Sequence, residues 1–338
     1  MSHLLQLHYV LDRPDANAAI RQRPEDFRVS EQLSFEPDGA GQHVYLFIEK
    51  RGLNTEDLAS QLAKFADVPP VAVGYAGLKD RHAVTRQWLS VDLAGKPEPH
   101  WPELNTDNVT VVETVRHTRK LKRGALRGNQ FQITLRDYTG DPQDLARRLE
   151  FMQLQGIANY FGGQRFGRHD ANLKQAEKLL TGKVKQVKRH LRGLYLSAVR
   201  SYLFNLVLSQ RVADRTWNQA IAGDVMMLEG SHSVFAADRI DSEIIQRVTA
   251  LDIHPTGPLW GHGIPMTTRD ALDIETRTLQ SHQNWCELLS HAGLKQERRA
   301  LRVKVVDLNW EWRGKDVVLD FQLPAGSYAT AVLRELVR

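Results

Sequence analysis

The sequence predicts an α+β chain in which a discontinuous domain, built on a mainly antiparallel sheet with flanking helices, is interrupted by an inserted, mostly helical domain. Three observations predict it. Strand-like alternation dominates the chain up to Arg136, apolar residues follow helical spacing from 170 to 300, and alternation returns between Leu301 and Leu323. Hairpins rarely stand alone, so the returning pair is expected to join the strands of the N-terminal half, which makes the first domain discontinuous. At 338 residues the chain is long enough for two domains, and 42% hydrophobic with 25% charged residues marks it as globular.

Taken in order, Pro24 and its charged neighbours mark a turn entering a strand in which Phe27 and Val29 share a face; Phe27 is most simply a core residue. Val44–Ile48 reads as a strand. Asn54 is placed to cap a helix with Leu58, Leu62, Phe65 and Ala66 at helical spacing, ended by Pro69-Pro70. The apolar run Val71–Val73 reads as a short buried strand, Gln87–Val91 and Val109–Val115 as further strands, and Phe131, Ile133 and Leu135 alternate on one face of the next. Asp141 and Pro142 occupy cap and first-turn positions of a helix reaching about Gln155. Gly156–Arg168 is too glycine-rich for a helix interior and too aromatic for a plain linker, so it reads as a structured hinge, equally able to hold RNA backbone or to pack a domain junction. Helical spacing then covers Asn172–Leu180, Leu194–Val212, Ser242–Leu251 and Arg269–His291, with a short hairpin at Val225–Leu228 and Ser233–Ala236. Pro255–Pro265 reads as a loop. After the strands Leu301–Trp312 and Asp316–Leu323, joined at Arg313-Gly314-Lys315, a terminal helix spans Ala329–Val337 with Ser327 or Thr330 near its cap.

Composition narrows the function. No apolar run approaches the roughly 18 residues of a membrane helix, and Met1-Ser2-His3-Leu4 lacks the basic start and apolar core of a signal peptide, so a cytoplasmic protein without a membrane partner is expected. The single cysteine, Cys286, excludes an intrachain disulfide framework, and the 13 histidines show no ligand spacing, so no metal is expected. The net charge is +5 and the isoelectric point about 9.2, a level at which nucleic-acid binding is worth testing. The charge is clustered: Arg116–Arg127 carries six Lys or Arg and no carboxylate, including Arg119, Lys120, Lys122 and Arg123, and Lys183–Arg192 carries five more. Either cluster alone suits a solvated face; together they suit phosphate contacts.

The stretch Gly74-Tyr75-Ala76-Gly77-Leu78-Lys79-Asp80-Arg81-His82 carries the most chemistry. Its two glycines are expected to provide positive φ at a turn. Asp80 stands between Lys79 and Arg81, and opposite charges within a few ångströms favour an ionised carboxylate, suited to act as nucleophile or base. An ordinary polar turn has the same composition.

Arg23-Pro24-Glu25-Asp26-Phe27, Gly77-Leu78-Lys79-Asp80 and Lys122-x-Gly124-x-x-x-Gly128-Asn129-x-Phe131 occur in this order, followed by Asn159-Tyr160-Phe161-Gly162-x-Gln164-Arg165-Phe166-Gly167 and Leu323-Pro324-Ala325-Gly326-Ser327-Tyr328-Ala329-Thr330. Together these segments resemble the TruD family of tRNA pseudouridine synthases. The resemblance implies a pseudouridine synthase catalytic domain at 1–154 and 304–338 with an inserted TRUD domain at 155–303. It implies isomerisation of a tRNA uridine, position 13 in bacterial members, with no cofactor and no metal; the chain is expected to act as a monomer. It carries the catalytic aspartate onto Asp80, the aromatic contact to the target base onto Phe131, and substrate contacts onto Phe27 and Asn129. The family's C-terminal aromatic, often phenylalanine, is Tyr328 here, which keeps the ring and adds a hydroxyl.

By its pattern alone Phe131 is a core residue, but stacking on a Phe face is how flipped-out bases are commonly held, and the Asn129 amide can donate and accept toward uracil. The supporting cation for Asp80 is expected to be Arg21, which stands at the corresponding basic position of the family, with Lys79 and Arg81 as alternatives. Arg119, Lys120, Lys122, Arg123 and Arg165 are expected on the RNA backbone. Asp80, Phe27, Asn129, Phe131 and Tyr328 are expected to line one cleft. A non-catalytic RNA-binding protein would keep the basic clusters without needing Asp80. A zinc deaminase would need a His/Cys set, and a methyltransferase a Gly-rich cofactor turn.

Overall fold

The computed structural model of the protein describes residues 6–184 and 186–338; the N-terminal start and Lys185 of the second basic cluster lie outside the described residues. The chain divides into two compact units. One comprises Ala16–Asp141 and Val305–Gly326; the other comprises the chain up to Asp15, Pro142–Lys304 and Ser327–Arg338.

The first unit is a sheet. Its strands in chain order are β1 (Asn17–Ile20), β2 (Phe27–Leu33), β3 (His43–Arg51), β4 (Val73–Tyr75), β5 (Val84–Asp92), β6 (Val109–His117) and β7 (Leu126–Thr139), with helix α1 (Thr55–Phe65) between β3 and β4. Asn54 precedes α1 but its side chain makes no cap hydrogen bond; its amide donates to Asp57 Oδ2 instead, at 3.0 Å. The expected strand at Val71–Val73 begins only at Val73. Pro69 and Pro70 fix φ and start a 3-10 turn at Pro70–Ala72, leaving Val71 exposed.

The second unit contains α2 (Pro142–Gln155), β8 (Ile157–Ala158), α3 (Ala171–Leu180), α4 (Arg189–Ala213), β9 (Asp224–Leu228), β10 (Val234–Ala237), α5 (Ser242–Thr249), β11 (Ile253–Leu259), α6 (Arg269–Leu279), α7 (Gln283–His291), β12 (Glu297–Ala300) and β13 (Arg302–Val303). The buried face of α4, with Val199, Leu203, Phe204, Val207 and Leu208, forms the centre of its core. The helical pattern at Arg269–His291 resolves into α6 and α7, separated by a 3-10 turn at Gln280–His282. The segment read as a loop at Pro255–Pro265 contains most of β11, an inner strand of the four-stranded sheet β10-β9-β11-β12. Pro255, Gly257 and Pro258 hide it from a strand pattern. Gly257 is needed there because a Cβ would stand 2.8 Å from Leu301 Cδ2 and 3.0 Å from the Phe204 ring.

The chain then returns through β14 (Val306–Arg313) and β15 (Asp316–Pro324) to the sheet unit and ends with α8 (Ala329–Leu333) in the helical unit. Neither Ser327 nor Thr330 caps α8; its N-cap is Tyr328, with no side-chain cap bond. The large sheet runs β14-β15-β7-β2-β5-β3-β6, with β1 added on β7 and β4 on β5. The only parallel pairing in it, among the described residues, is β2 with β5; β15 and β2 flank β7 antiparallel. The expected return of the C-terminal hairpin to the first sheet is therefore seen in β15. Register places Phe27, Val29 and Glu31 of β2 on one face with Ile133, Phe131 and Asn129 of β7, Phe321 of β15, Thr85 of β5 and Lys50 of β3.

In the helical unit, Glu335 is 1% exposed, accepts the Val10 N–H at 3.1 Å and pairs with Arg334 at 3.2 Å. Burial nonetheless pushes its carboxyl up to about 7 from an ordinary value of 4.5. A group whose folded pKa lies above its unfolded one contributes stability that is fully present below the unfolded value and is lost as pH rises through the folded value. Between about pH 5 and pH 8, thermal melts of the wild type should therefore fall more steeply with pH than those of Glu335→Gln. Parallel curves would show that Glu335 does not carry this dependence.

Candidate functional site

The site grows from the register of the sheet face just described. Asp26, fully buried, fixes where β2 begins: it accepts from the Arg23 N–H at 2.9 Å and from Arg136 Nε and Nη2 at 2.9 and 2.6 Å. Burial works against its charge, but Arg136 and the Arg23 N–H hold its carboxyl below the usual range. The next residue, Phe27, is thereby set on the sheet face, where its ring meets Phe131 edge-on at 6.2 Å. Phe131 in turn stacks on Phe321 at 5.3 Å. Both Phe27 and Phe131 are buried, at 4% and 6% exposure. Phe321 went unnoticed in the sequence; its alternation with Leu319 and Leu323 was the available signal.

Asp80 stands over this face. Arg21 Nη1 donates to its Oδ2 at 3.0 Å, and the His82 N–H donates to its Oδ1 at 3.0 Å, so each carboxylate oxygen has one partner. The carboxylate keeps 26% exposure and so remains reachable. Arg21 lies with its Cζ 3.9 Å above the Phe27 ring, a cation–π contact that desolvates and orients the guanidinium. Its backbone is left-handed, φ 61°, a conformation uncommon outside glycine and associated with functional sites.

The two alternative cations point elsewhere. Lys79 Nζ donates to Glu31 Oε1 at 2.5 Å, both side chains being almost fully buried, and Glu31 Oε2 accepts the Trp88 N–H at 2.9 Å. Arg81 Nε donates to the Gly52 carbonyl at 3.0 Å. Sequence adjacency placed both beside Asp80, whereas the backbone turns successive side chains in different directions. The expected positive φ at Gly74 and Gly77 is also absent. Gly74 is required for a different reason: a Cβ there would lie 2.4 Å from the Leu121 carbonyl oxygen and 2.7 Å from Ser90 Oγ.

That close approach brings the first basic cluster against the Asp80 stretch. Leu121 is buried and its N–H donates to Ser90 Oγ at 3.0 Å, while the Gly124 N–H donates to the Ala76 carbonyl at 2.9 Å. Arg119, Lys122 and Arg123 are exposed. Lys120 Nζ reaches the Val71 carbonyl, and Arg123 Nη2 donates to Tyr75 Oη at 2.9 Å. Asn129 sits opposite Glu31; its buried Oδ1 has no hydrogen-bond partner, as is also true of Thr85 Oγ1 and Gln87 Nε2 on the same face. A cavity of about 270 Å³ on the opposite face is lined by Arg28, Glu49, Arg86, Gln132 and Asp320 among others, of which Arg86 pairs with Glu49 and Gln132 donates to Asp320.

Tyr328 and Arg165 belong to the helical unit. Tyr328 meets Phe161 edge-on at 5.9 Å. Arg165 Cζ lies 5.3 Å from the same ring, and Arg299, which the sequence reading missed, lies 4.1 Å from it while donating to Asn159 Oδ1 at 2.5 Å. Burial pushes the Arg299 guanidinium down to about 10, with the Arg165 charge acting in the same sense. Gly162 permits this packing: a Cβ would stand 2.6 Å from Thr330 Oγ1 and 3.3 Å from Tyr328 Cδ1. Among the described residues no group of three or more His, Cys, Asp and Glu side chains gathers in a way that could hold a metal ion, and no helix is long and apolar enough to cross a membrane.

Removing one partner of a buried ion pair leaves an uncompensated charge. Glu31→Gln should lower the unfolding free energy in urea by about 3 kcal/mol or more, and a change below about 1 kcal/mol would show that Lys79 finds other compensation.

The sequence model of the family described as tRNA pseudouridine synthase D (TruD) matches residues 4–185 and 171–336. A tRNA pseudouridine synthase D of Nitrosococcus oceani is 49% identical over 335 residues, 98% of this chain and 94% of the relative. One of Methylococcus capsulatus is 49% identical over 94% of this chain and 90% of the relative. The crystal structure of a putative TruD from Methanosarcina mazei superposes with a TM-score of 0.77 at 22% identity, covering 98% of this chain and 95% of that one, which shows a shared fold. By the family match and by identity over nearly its whole length, the chain belongs to the tRNA pseudouridine synthase D (TruD) family.

Proposed function

We propose that the protein isomerises uridine 13 of tRNA to pseudouridine, with Asp80 as the catalytic carboxylate, no cofactor and the chain acting as a monomer in the cytoplasm. The observation that carries this reading is the Asp80 carboxylate, reachable at 26% exposure and held by Arg21 at 3.0 Å, on a stretch packed directly against a basic loop. Family membership supports the reaction class. In this reading the sheet unit is the catalytic part and the helical unit contributes further RNA contacts.

The reaction must break the bond from uracil N1 to the sugar, rotate the ring and join C5 to the same sugar carbon. A carboxylate can begin this by attacking the sugar, attacking the base or removing a sugar proton, and each route needs an oriented anion. Arg21 and the His82 N–H supply the orientation. Since a stacked base cannot reach such a site, the uridine is flipped out at a cost of a few kcal/mol. Phe131 is assigned the aromatic contact to the base, and Phe27 a supporting one through Arg21. The unpartnered Asn129 Oδ1 supports assigning Asn129 a polar contact to the substrate. Tyr328 is assigned a further substrate contact. Arg119, Lys120, Lys122, Arg123 and Arg165 are assigned to the RNA backbone.

Asp80→Asn should bind unmodified tRNA with nearly unchanged affinity and form no pseudouridine when product is counted by mass labelling. Pseudouridine accumulating at the wild-type rate would remove Asp80 from the chemistry. Replacing Lys120 and Lys122 together by alanine should weaken tRNA binding and flatten its salt dependence, the log–log slope shrinking by roughly 0.7 to 0.9 for each phosphate that is no longer neutralised. An unchanged slope would assign both lysines to a solvated face.

A further inference from the structure

Three consecutive residues of the Asp80 stretch are fastened to one corner of the sheet unit, the end of β3 and the start of α1. The Lys79 N–H donates to Thr55 Oγ1 at 2.9 Å, the Asp80 carbonyl accepts from Lys50 Nζ at 3.1 Å, and Arg81 Nε donates to the Gly52 carbonyl. Lys50 is the centre of this corner. It is 1% exposed and also donates to the Leu53 carbonyl at 2.6 Å, so one ammonium ties the loop after β3 to the backbone of Asp80.

Such a lysine is unusual as a purely structural element. Its two contacts are neutral carbonyls, and among the described residues the nearby carboxylates pair with other cations, Asp80 with Arg21 and Glu31 with Lys79. A buried ammonium without a direct counter-ion is costly, and an apolar side chain of similar length would fill the space at no such cost. The facing groups are few. The Asp80 stretch contributes Asp80 and Lys79; β2 contributes Glu31, already paired to Lys79; β5 and β6 present Thr85 and Val109 as register partners; and α1 presents Thr55. The negative charge that acts on Lys50 is therefore the carboxylate of the residue whose carbonyl it binds.

We propose that Lys50 is a positioning residue of the reaction, fixing the main chain of Asp80 and placing a positive charge beneath its carboxylate. This rests on the reading of Asp80 as the catalyst. Lys50 touches no substrate in this role; it acts through Asp80. Burial pushes the Lys50 ammonium down to about 8, against the attraction of Asp80, with Lys79 adding to the depression. Deprotonation above that value would remove the charge while leaving the amine able to donate.

The test compares the wild type with Lys50→Met, which keeps the length and removes charge and donors, and with Asp80→Asn as the reference. Each is assayed for tRNA affinity, for single-turnover pseudouridine formation between about pH 6.5 and 9.5, and for thermal stability. Lys50→Met should keep tRNA affinity and a wild-type melting temperature while its single-turnover rate falls about tenfold to a hundredfold, the size of a misplaced catalytic group. The wild-type rate should fall as pH rises through about 8, and that limb should be missing in Lys50→Met. A wild-type rate in Lys50→Met, or a rate loss that tracks a lowered melting temperature with the alkaline limb unchanged, overturns the proposal. If Asp80→Asn is itself active, the underlying reading of Asp80 fails instead; if Asp80→Asn is inactive and Lys50→Met keeps the wild-type rate, only the role of Lys50 fails.

Discussion

Glu31 and Lys79 form the ion pair on which the Asp80 face depends. Glu31 is fully buried on β2, one oxygen on the Lys79 ammonium and the other on the Trp88 N–H of β5. Because β2 and β5 are the parallel pair at the middle of an otherwise antiparallel sheet, this single carboxylate couples the weakest pairing geometry of the sheet to the stretch that carries Asp80. Its geometry decides which way Lys79 points, and so leaves Arg21 as the side chain that ion-pairs with Asp80. An exposed pair would give little such direction; a buried one tolerates no alternative partner without cost.

Polar groups on this face are arranged from the deepest outward. Thr55, Gln87, Glu31 and Lys50 are almost wholly buried and bind backbone or one another, with Thr55 Oγ1 donating to Gln87 Oε1 at 2.9 Å. Above them Arg21 and Asp80 are about one quarter to one third exposed. Rigid support beneath and reachable charge above is the arrangement expected where a catalytic group must be held to within a fraction of an ångström. The aromatic ladder Phe27, Phe131, Phe321 runs alongside, so a polar layer and an apolar layer meet at Arg21, which belongs to both through its ion pair and its ring contact.

Much of this was legible from residue order. Alternation is legible in β2 and β7, an apolar run in β3, cap and first-turn residues in α2, and helical spacing in α1, α4 and α5. The family motifs single out Asp80, and Arg21, the cation expected from the family position, is the one that ion-pairs with it. Illegible features share one cause: they are decided by groups distant in sequence. Lys79 and Arg81 look alike beside Asp80 until Glu31 and Gly52 claim them. Glu49 and Lys50 lie beyond the strand legible at Val44–Ile48, and only register with Thr85 turns Lys50 inward. Gly74 looked like a turn residue but is a point of contact with Leu121. Pro255 and Pro258 broke the pattern of a strand that tolerates them.

The return of β15 has a consequence for how the protein is made. Strand β7 lies between β2 and β15, and the residues that β15 places against it, such as Asp320 on Gln132, are separated by 188 positions in the chain. During synthesis, β7 leaves the ribosome with one edge unpaired and Phe131 lacking its partner Phe321, and the Pro142–Lys304 segment of the helical unit emerges before that edge is covered. The sheet must wait in an incomplete form, its closure slow because so long a segment has to be looped before the contact forms. Until then the exposed edge of β7 is available to any strand that meets it. The alternating polar residues Gln130, Gln132 and Thr134 along that strand limit how attractive the waiting edge is to the wrong partner.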